Sequence, residues 1–216
     1  MARRPRIEYS GALYHVTARG VQRSAIFHDD HDRRDLLRLL ARTLKTGDAE
    51  AFAYCLMGNH YHVVLQTHEA NLSTLMHRIN ATYSQAFNRR HARCGHVLEG
   101  RFQAIPIDLD SHLLEVCRYV DLNPVRAGLA GAPGEWRWSS YRAHVGHAPP
   151  AAWLATKTLL GVLTGLTPGC DEQVELAQER YADWVAAATH ARPAVLQGGQ
   201  DWRGKSLAGP LESSTG

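Results

Sequence analysis

The hydrophobic positions of the chain change period several times, and each change marks an element. Gly11-Ala-Leu-Tyr-His-Val-Thr-Ala18 alternates apolar and polar residues and carries β-branched and aromatic side chains, the pattern of a strand. Arg19-Gly20-Val-Gln-Arg23 breaks it with a loop. Leu36, Leu37, Leu39, Leu40 and Leu44 then recur at helical spacing, with Arg33, Arg34, Arg38 and Arg42 on a solvated face. Asp30 or Asp32 is the expected cap of that helix, and Gly47 its end. Glu50 to Met57 reads as a second strand, Gly58-Asn59 as a tight connection and His60 to Gln66 as the returning third strand. Asn71 is placed to cap a long helix with Leu72, Leu75, Met76, Ile79, Tyr83 and Phe87 on one face. His96 to Ile107 feeds a fourth strand. A further helix opens at Asp110 or Ser111 and is expected to end near Asn123, because Pro124 disfavours the helical region for the residue before it.

The order β-α-β-β-α-β followed by a helix predicts an α+β fold: a ferredoxin-like sandwich of the split βαβ type, an antiparallel sheet with helices on one face. Beyond Gly128 the composition shifts. Pro133 to Tyr141 is aromatic and turn-rich, residues 151–164 and 171–189 read as helical, and Thr167-Pro168-Gly169 separates them. The expected organisation is a basic arm over 1–10, a main domain over 11–128, a helical extension over 129–190 packed on it, and a disordered tail over 191–216.

At 216 residues, with 44% hydrophobic residues and no window near the roughly 18 apolar residues of a membrane span, the chain reads as one soluble globular core. The opening Met-Ala-Arg-Arg-Pro-Arg lacks the apolar core of a signal peptide, which predicts a cytoplasmic protein. Cys55, Cys94, Cys117 and Cys170 form no CxxC pair and read as reduced thiols. The net charge is only +3, but residues 1–142 carry 19 Lys+Arg against 14 Asp+Glu and residues 143–216 carry 5 against 7. All but three of the basic residues are arginine, the side chain that pairs bidentately with phosphate. The excess leans towards a nucleic-acid partner.

His60 and His62 are the first candidates for chemistry. Alternate residues of a strand share a face, so the two imidazoles can grip one ion, although a half-buried structural pair is the plainer reading of the spacing alone. Tyr119 and Asn123 stand one helical turn apart and share a face in the same way. A phenolate can attack a phosphodiester, and the Asn123 amide oxygen can add a hard third ligand. Two histidines and an amide leave open positions for phosphate oxygens, which suits catalytic Mg²⁺ or Mn²⁺. By spacing alone the favoured reading is the plainer one, a helix tyrosine at the rim of the core for Tyr119 and a C-terminal cap for Asn123. Tyr14, Tyr54, Tyr61 and Tyr83 are rival nucleophiles, though Tyr61 alternates away from the histidines and Tyr83 lies in an apolar stripe. His91, Cys94 and His96 lack a fourth ligand and the usual zinc spacing.

Asn59-His60-Tyr61-His62, Tyr83-Ser-Gln-Ala-Phe-Asn-Arg-Arg90, Gly100-Arg101-Phe102, Tyr119-Val-Asp-Leu-Asn-Pro-Val-Arg-Ala-Gly128 and Trp138-Ser-Ser-Tyr141 occur in this order. The set resembles the single-tyrosine transposases, and most closely the branch associated with repetitive extragenic palindromes. The likeness runs from about Tyr14 to Tyr141. It implies that His60 and His62 are the His-hydrophobic-His metal pair, that Asn123 completes the shell, and that Tyr119 cuts single-stranded DNA to leave a 5′-phosphotyrosine. It also implies recognition of a DNA hairpin with a short single-stranded guide beside it. Glu99 departs from the pattern, since glutamine is expected before Gly100.

Candidate DNA contacts are Arg3, Arg4 and Arg6 in the arm, Arg19, Arg23, Arg89, Arg90, Arg93 and Arg101 in loops or at element ends, and Arg118 and Arg126 beside the tyrosine. Trp136, Trp138 and Tyr141 read better as a small core cluster than as a base-stacking platform. The alternative to an active endonuclease and strand transferase is a retired transposase kept as a sequence-specific DNA-binding protein or repressor. A replication-initiator or relaxase relative is a weaker third reading. A monomer working in cis is favoured over a homodimer, because the chain after Tyr119 is long enough to pack back on the domain.

Overall fold

The computed structural model describes residues 8–107 and 110–189; Arg3, Arg4 and Arg6 of the arm and the tail beyond residue 190 lie outside the described residues. The elements run β1 (Ala12–Arg19), α1 (Asp30–Thr46), β2 (Ala49–Leu56), β3 (His60–Thr67), α2 (Leu72–Arg90), β4 (Gln103–Ile107), α3 (Asp110–Arg126), α4 (Tyr141–His144), α5 (Thr156–Thr164) and α6 (Asp171–Ala186). The four strands form one sheet in the order β2-β3-β1-β4, antiparallel at every step. This is the split βαβ sandwich, and the fold is α+β as the sequence predicts.

Strand alternation divides the protein into two cores. Ala12, Tyr14, Val16 and Ala18 of β1 and Tyr61, Val63 and Leu65 of β3 turn to one face, where Leu36, Leu40 and Leu44 of α1 and Leu72, Met76, Ile79, Tyr83 and Phe87 of α2 cover them. Val64 of β3 and Phe52, Ala53 and Cys55 of β2 turn to the other face. There α3 packs through Leu113, Val116, Cys117, Tyr119, Val120 and Leu122, backed by Leu159 and Leu160 of α5 and Ala177, Tyr181 and Val185 of α6. Two helices therefore lie on one face as expected, and the post-sheet helix and the extension cover the other. The extension also adds to the sheet's margin: Leu56 N–H donates to Trp138 O at 2.8 Å and Ala51 N–H to Trp153 O at 3.0 Å.

Four local expectations are corrected. The cap of α1 is Asp29, whose side chain accepts from the N–H groups of His31 and Asp32. Asn71 makes no side-chain cap; its Nδ2 donates to Gly47 O at 2.8 Å and pins the end of α1 to the start of α2. The helix bearing Tyr119 runs on past Pro124 to Arg126. Pro124 lies in the last turn, where its missing N–H costs a single helical bond, and burial of Val120, Leu122 and Asn123 outweighs the bias against helix before proline. Ala127 N–H still reaches Asn123 O at 3.0 Å. Arg33 also leaves the solvated face, its guanidinium standing 5.4 Å from the Phe27 ring and 5.6 Å from Trp138.

Candidate active site

β1 and β3 pair in a register that sets Thr17 opposite His62 and Arg19 opposite His60. Opposed residues share a face, so Leu13, His15, Thr17 and Arg19 line the same side as His60, His62 and Val64. That side is the one α3 covers. Gly20 then lets the chain turn sharply beside the pair: a Cβ there would sit 2.1 Å from Ser24 O, while its N–H holds Asn59 O at 2.8 Å.

The imidazoles of His60 and His62 lie edge to face with centroids 5.0 Å apart. Each is held at Nδ1. Asn59 Nδ2 donates to Arg23 O at 2.9 Å, which turns Asn59 Oδ1 to His60 Nδ1 at 2.7 Å. Only an N–H can meet that oxygen, so the lone pair of His60 is on Nε2. His62 Nδ1 lies 2.9 Å from His15 Nε2 and 3.3 Å from Thr17 Oγ1. Burial lowers His62 well below the usual histidine value, with His15, His60 and Arg19 adding to the effect; burial also lowers His15, to about 4. Both rings are neutral near neutral pH, the state in which imidazole can ligate a metal. The donor chemistry of His60 and His62 fits a divalent ion bound through Nε2.

Tyr119 sits over this group. Its ring makes edge contacts with His62 at 6.0 Å and with His15 at 5.9 Å. One turn on, Asn123 Nδ2 donates to Tyr119 O at 3.1 Å, which assigns the amide's nitrogen and turns its oxygen away from that carbonyl. The Arg126 guanidinium stands 5.5 Å from the Tyr119 ring centroid. Burial lowers its pKa, yet an arginine so placed stays charged. Of the rival tyrosines, Tyr14, Tyr61 and Tyr83 are core residues and Tyr54 is half-buried against the core. Tyr61 donates to Asn80 Oδ1 and Tyr83 to Ile26 O, both on the α1/α2 face, and burial raises both phenols. Tyr14 is 2% exposed on that face, and Tyr54, pushed up to about 12 by burial, packs against Trp153 at 5.4 Å.

α3 is anchored by a buried knot. Asp121, fully buried, accepts from Ser140 Oγ, His144 Nδ1 and Tyr181 Oη, each at 2.8 Å. Those donors come from the residue before α4, from α4 and from α6, so the extension holds the helix that carries Tyr119.

The candidate arginines divide. Arg23, Arg89, Arg93 and Arg101 are exposed, and Arg19 is half-buried at the end of β1. Arg90 is committed within the protein to Asp29 and Asp32, and Arg118 to Glu115, with its guanidinium 4.1 Å from the Trp184 ring. Arg101 instead borders a groove along α2, with His77, Asn80, Gln85, Asn88 and His96. Among the described residues no carboxylate lines that groove, and Ala70 to Leu98 contains four arginines and no acid. His91 does not gather with Cys94 and His96. Its Nε2 lies 3.0 Å from each Asp32 oxygen, within 4.8 Å of a His28 ligand atom as well. Asp32 is already saturated by Arg90, His91 and the His28 N–H, which together outweigh the raising effect of burial and hold its carboxyl below its ordinary value. This His-Asp-His cluster reads as a structural ion-pair network.

The sequence pattern of the IS200-like transposases matches residues 8–123, more than half of the chain. The protein belongs to the IS200-like transposase family. Among solved structures, this transposase is similar to a REP-associated tyrosine transposase bound to a REP hairpin, with a TM-score of 0.59 and 17% identity over 72% of this chain and 92% of that one. That likeness establishes a shared fold. A tRNA(His) guanylyltransferase from Saccharomyces cerevisiae follows at a TM-score of 0.36 and 10% identity, over 80% of this chain and 86% of that one, too distant to carry an argument. No curated protein matches the chain. No helix among the described residues is long and apolar enough to cross a membrane.

His15, Asn59 and Thr17 escaped the sequence reading. The alternation of β1 puts His15 in phase with Thr17, but alternation alone marks that phase as the polar, solvent-facing one. Only α3 and α6 make it an interior.

Proposed function

We propose that this transposase is a metal-dependent single-stranded DNA endonuclease and strand transferase that acts on hairpins of repetitive extragenic palindromes through Tyr119. The observation that carries the reading is the packing of the Tyr119 ring against His62, beside His60, on the covered face of the sheet. His60 and His62 would hold Mg²⁺ or Mn²⁺ through Nε2, with the Asn123 amide oxygen as third ligand. When bound, the ion withdraws charge from the scissile phosphate and fixes its orientation.

Tyr119 gives up its proton and attacks phosphorus; the bond to the 3′ oxygen breaks, that oxygen leaves as a hydroxyl, and the 5′ phosphate remains on the tyrosine. Attack by a second 3′-hydroxyl on the phosphotyrosine reverses the exchange and joins a strand. Arg126 places a fixed positive charge beside the phenol, where it compensates the developing phosphorane charge. The solved hairpin complex of the REP-associated relative supports a hairpin as the substrate class. The groove with Arg101, together with Arg89 and Arg93, supplies phosphate contacts outside the site. Tyr119 meets the histidines of its own chain, which supports a monomer cutting in cis.

The test is a labelled hairpin oligonucleotide with a single-stranded flank, incubated with the protein and Mn²⁺. A covalent adduct resistant to denaturant is expected with the wild type and none with Tyr119→Phe, while hairpin binding persists. An adduct that survives Tyr119→Phe refutes the assignment, and tight binding without cleavage across several metals and flanks reassigns the protein as a DNA-binding module.

A further inference from the structure

We propose that His15 is a positioning residue that fixes the ring and the tautomer of His62 for metal binding. The inference rests on the reading of His60 and His62 as metal ligands. It concerns a residue that touches neither DNA nor ion, and it follows from three observations.

The first is the contact itself. His15 is 2% exposed and His62 fully buried, with His15 Nε2 and His62 Nδ1 at 2.9 Å, the ring centroids 5.1 Å apart and the ring planes within 19° of each other. Two neutral imidazoles facing each other through one nitrogen apiece share a single proton between them. If His62 Nδ1 carries it, the lone pair of His62 is on Nε2 and can ligate. If His15 Nε2 carries it, His62 must hold its own proton on Nε2 and cannot. Ligand binding therefore requires His15 to be the acceptor, with its proton on Nδ1.

The second observation is the parallel with His60. There an amide oxygen imposes the Nδ1–H tautomer outright. At His62 the orienting group is itself a histidine, so the correct tautomer is chosen jointly, with Thr17 Oγ1 at 3.3 Å as the second contact. The third is position: His15 also meets the edge of Tyr119 at 5.9 Å. The same ring thus supports the ligand and the nucleophile from beneath, and β1 sets the distance between them.

Mn²⁺ binding to the full chain without DNA, followed by titration calorimetry and by the paramagnetic resonance of free Mn²⁺, tests this. Wild type is compared with His60→Ala, His15→Leu and His15→Gln. Leucine fills the space and removes the acceptor; glutamine returns an amide oxygen near the place of Nε2. About 10- to 100-fold weaker Mn²⁺ binding is expected for His15→Leu, with most of the loss recovered in His15→Gln and with metal-free hairpin binding unchanged in both. Imidazole ¹⁵N shifts of His62 in the Mg²⁺-loaded wild type should report the Nδ1–H form.

Should His15→Leu fail to fold, His15→Asn replaces it, since the shorter amide cannot reach His62; equal Mn²⁺ affinity in His15→Asn and His15→Gln overturns the proposal. Binding by His15→Leu within twofold of wild type, where His60→Ala is impaired, overturns the role of His15 alone. No saturable Mn²⁺ binding by the wild type, or none lost in His60→Ala, overturns the metal reading and this proposal with it.

Discussion

The two faces of the sheet are built from the same four strands and do opposite work. The α1/α2 face is a dry aliphatic and aromatic core in which Tyr61 and Tyr83 tuck their hydroxyls against Asn80 and Ile26 O. The α3 face buries His15, His62, Asp121, Asn123 and His144 among its apolar residues. Burying so many polar groups is unfavourable unless they are matched, and the matches made here are specific, His15 to His62, Asp121 to three donors and Asn123 to its own helix, while His15 Nδ1 and His144 Nε2 have no hydrogen-bond partner among the described residues. Both faces carry an apolar core, and the buried polar groups beside the candidate site lie on the α3 face.

The sharpest way to break this contrast is a pair of hydroxyl deletions. Tyr119→Phe should abolish the covalent DNA adduct with little change in melting temperature, whereas Tyr61→Phe should leave the adduct; denaturing gels and thermal scans on both variants decide it. Next in size is Asp121→Ala. It leaves His144, Ser140 and Tyr181 without their buried acceptor, and a loss of about 3–5 kcal/mol in urea unfolding is expected. Unfolding within 1 kcal/mol of wild type would show that the extension does not hold α3 through this knot.

The acid side should expose the α3 face in the metal-free protein. Because His15 is lowered to about 4 in the folded state, the unfolded chain takes up its proton first as pH falls below about 6.5. Stability is then full above that value and lost down to about 4, by at most about 3 kcal/mol. Asp32, held below its ordinary carboxylate value, adds a further loss at lower pH. Urea midpoints between pH 7 and 4 test the sign; a flat profile would contradict it. Asn59→Ala should weaken Mn²⁺ binding about tenfold by releasing the tautomer of His60, measured by calorimetry. The smallest effect is on the dry face, where Tyr61→Phe removes one hydrogen bond and should cost about 1 kcal/mol in urea unfolding.

Much of this was legible in the chain. The strand periods, the leucine stripe of α1 and the long amphipathic α2 depend on neighbours in sequence, and their ranges agree closely with the elements observed. The His60/His62 pair and the Tyr119/Asn123 turn were legible for the same reason: two-residue and four-residue spacings are local geometry. The end of α3 was not, because the proline rule is local while the burial of Leu122 and Asn123 that overrides it is not. Asp29 rather than Asp30 or Asp32 caps α1: it stands in extended backbone just before the first helical residue, whereas Asp32 lies within the first turn and pairs with Arg90 and His91, some sixty residues on.

The sequence by itself determined the alternation that points His60 and His62 to one side of a strand, and the helical turn that puts Asn123 beside Tyr119. Tertiary structure alone decided that Tyr119 meets His62, by laying α3 across β2 and β3 and closing it with α6. It also decided that His15 belongs to the site. Strand register is a long-range property, and only the β1–β3 pairing brings residue 15 within hydrogen-bonding distance of residue 62.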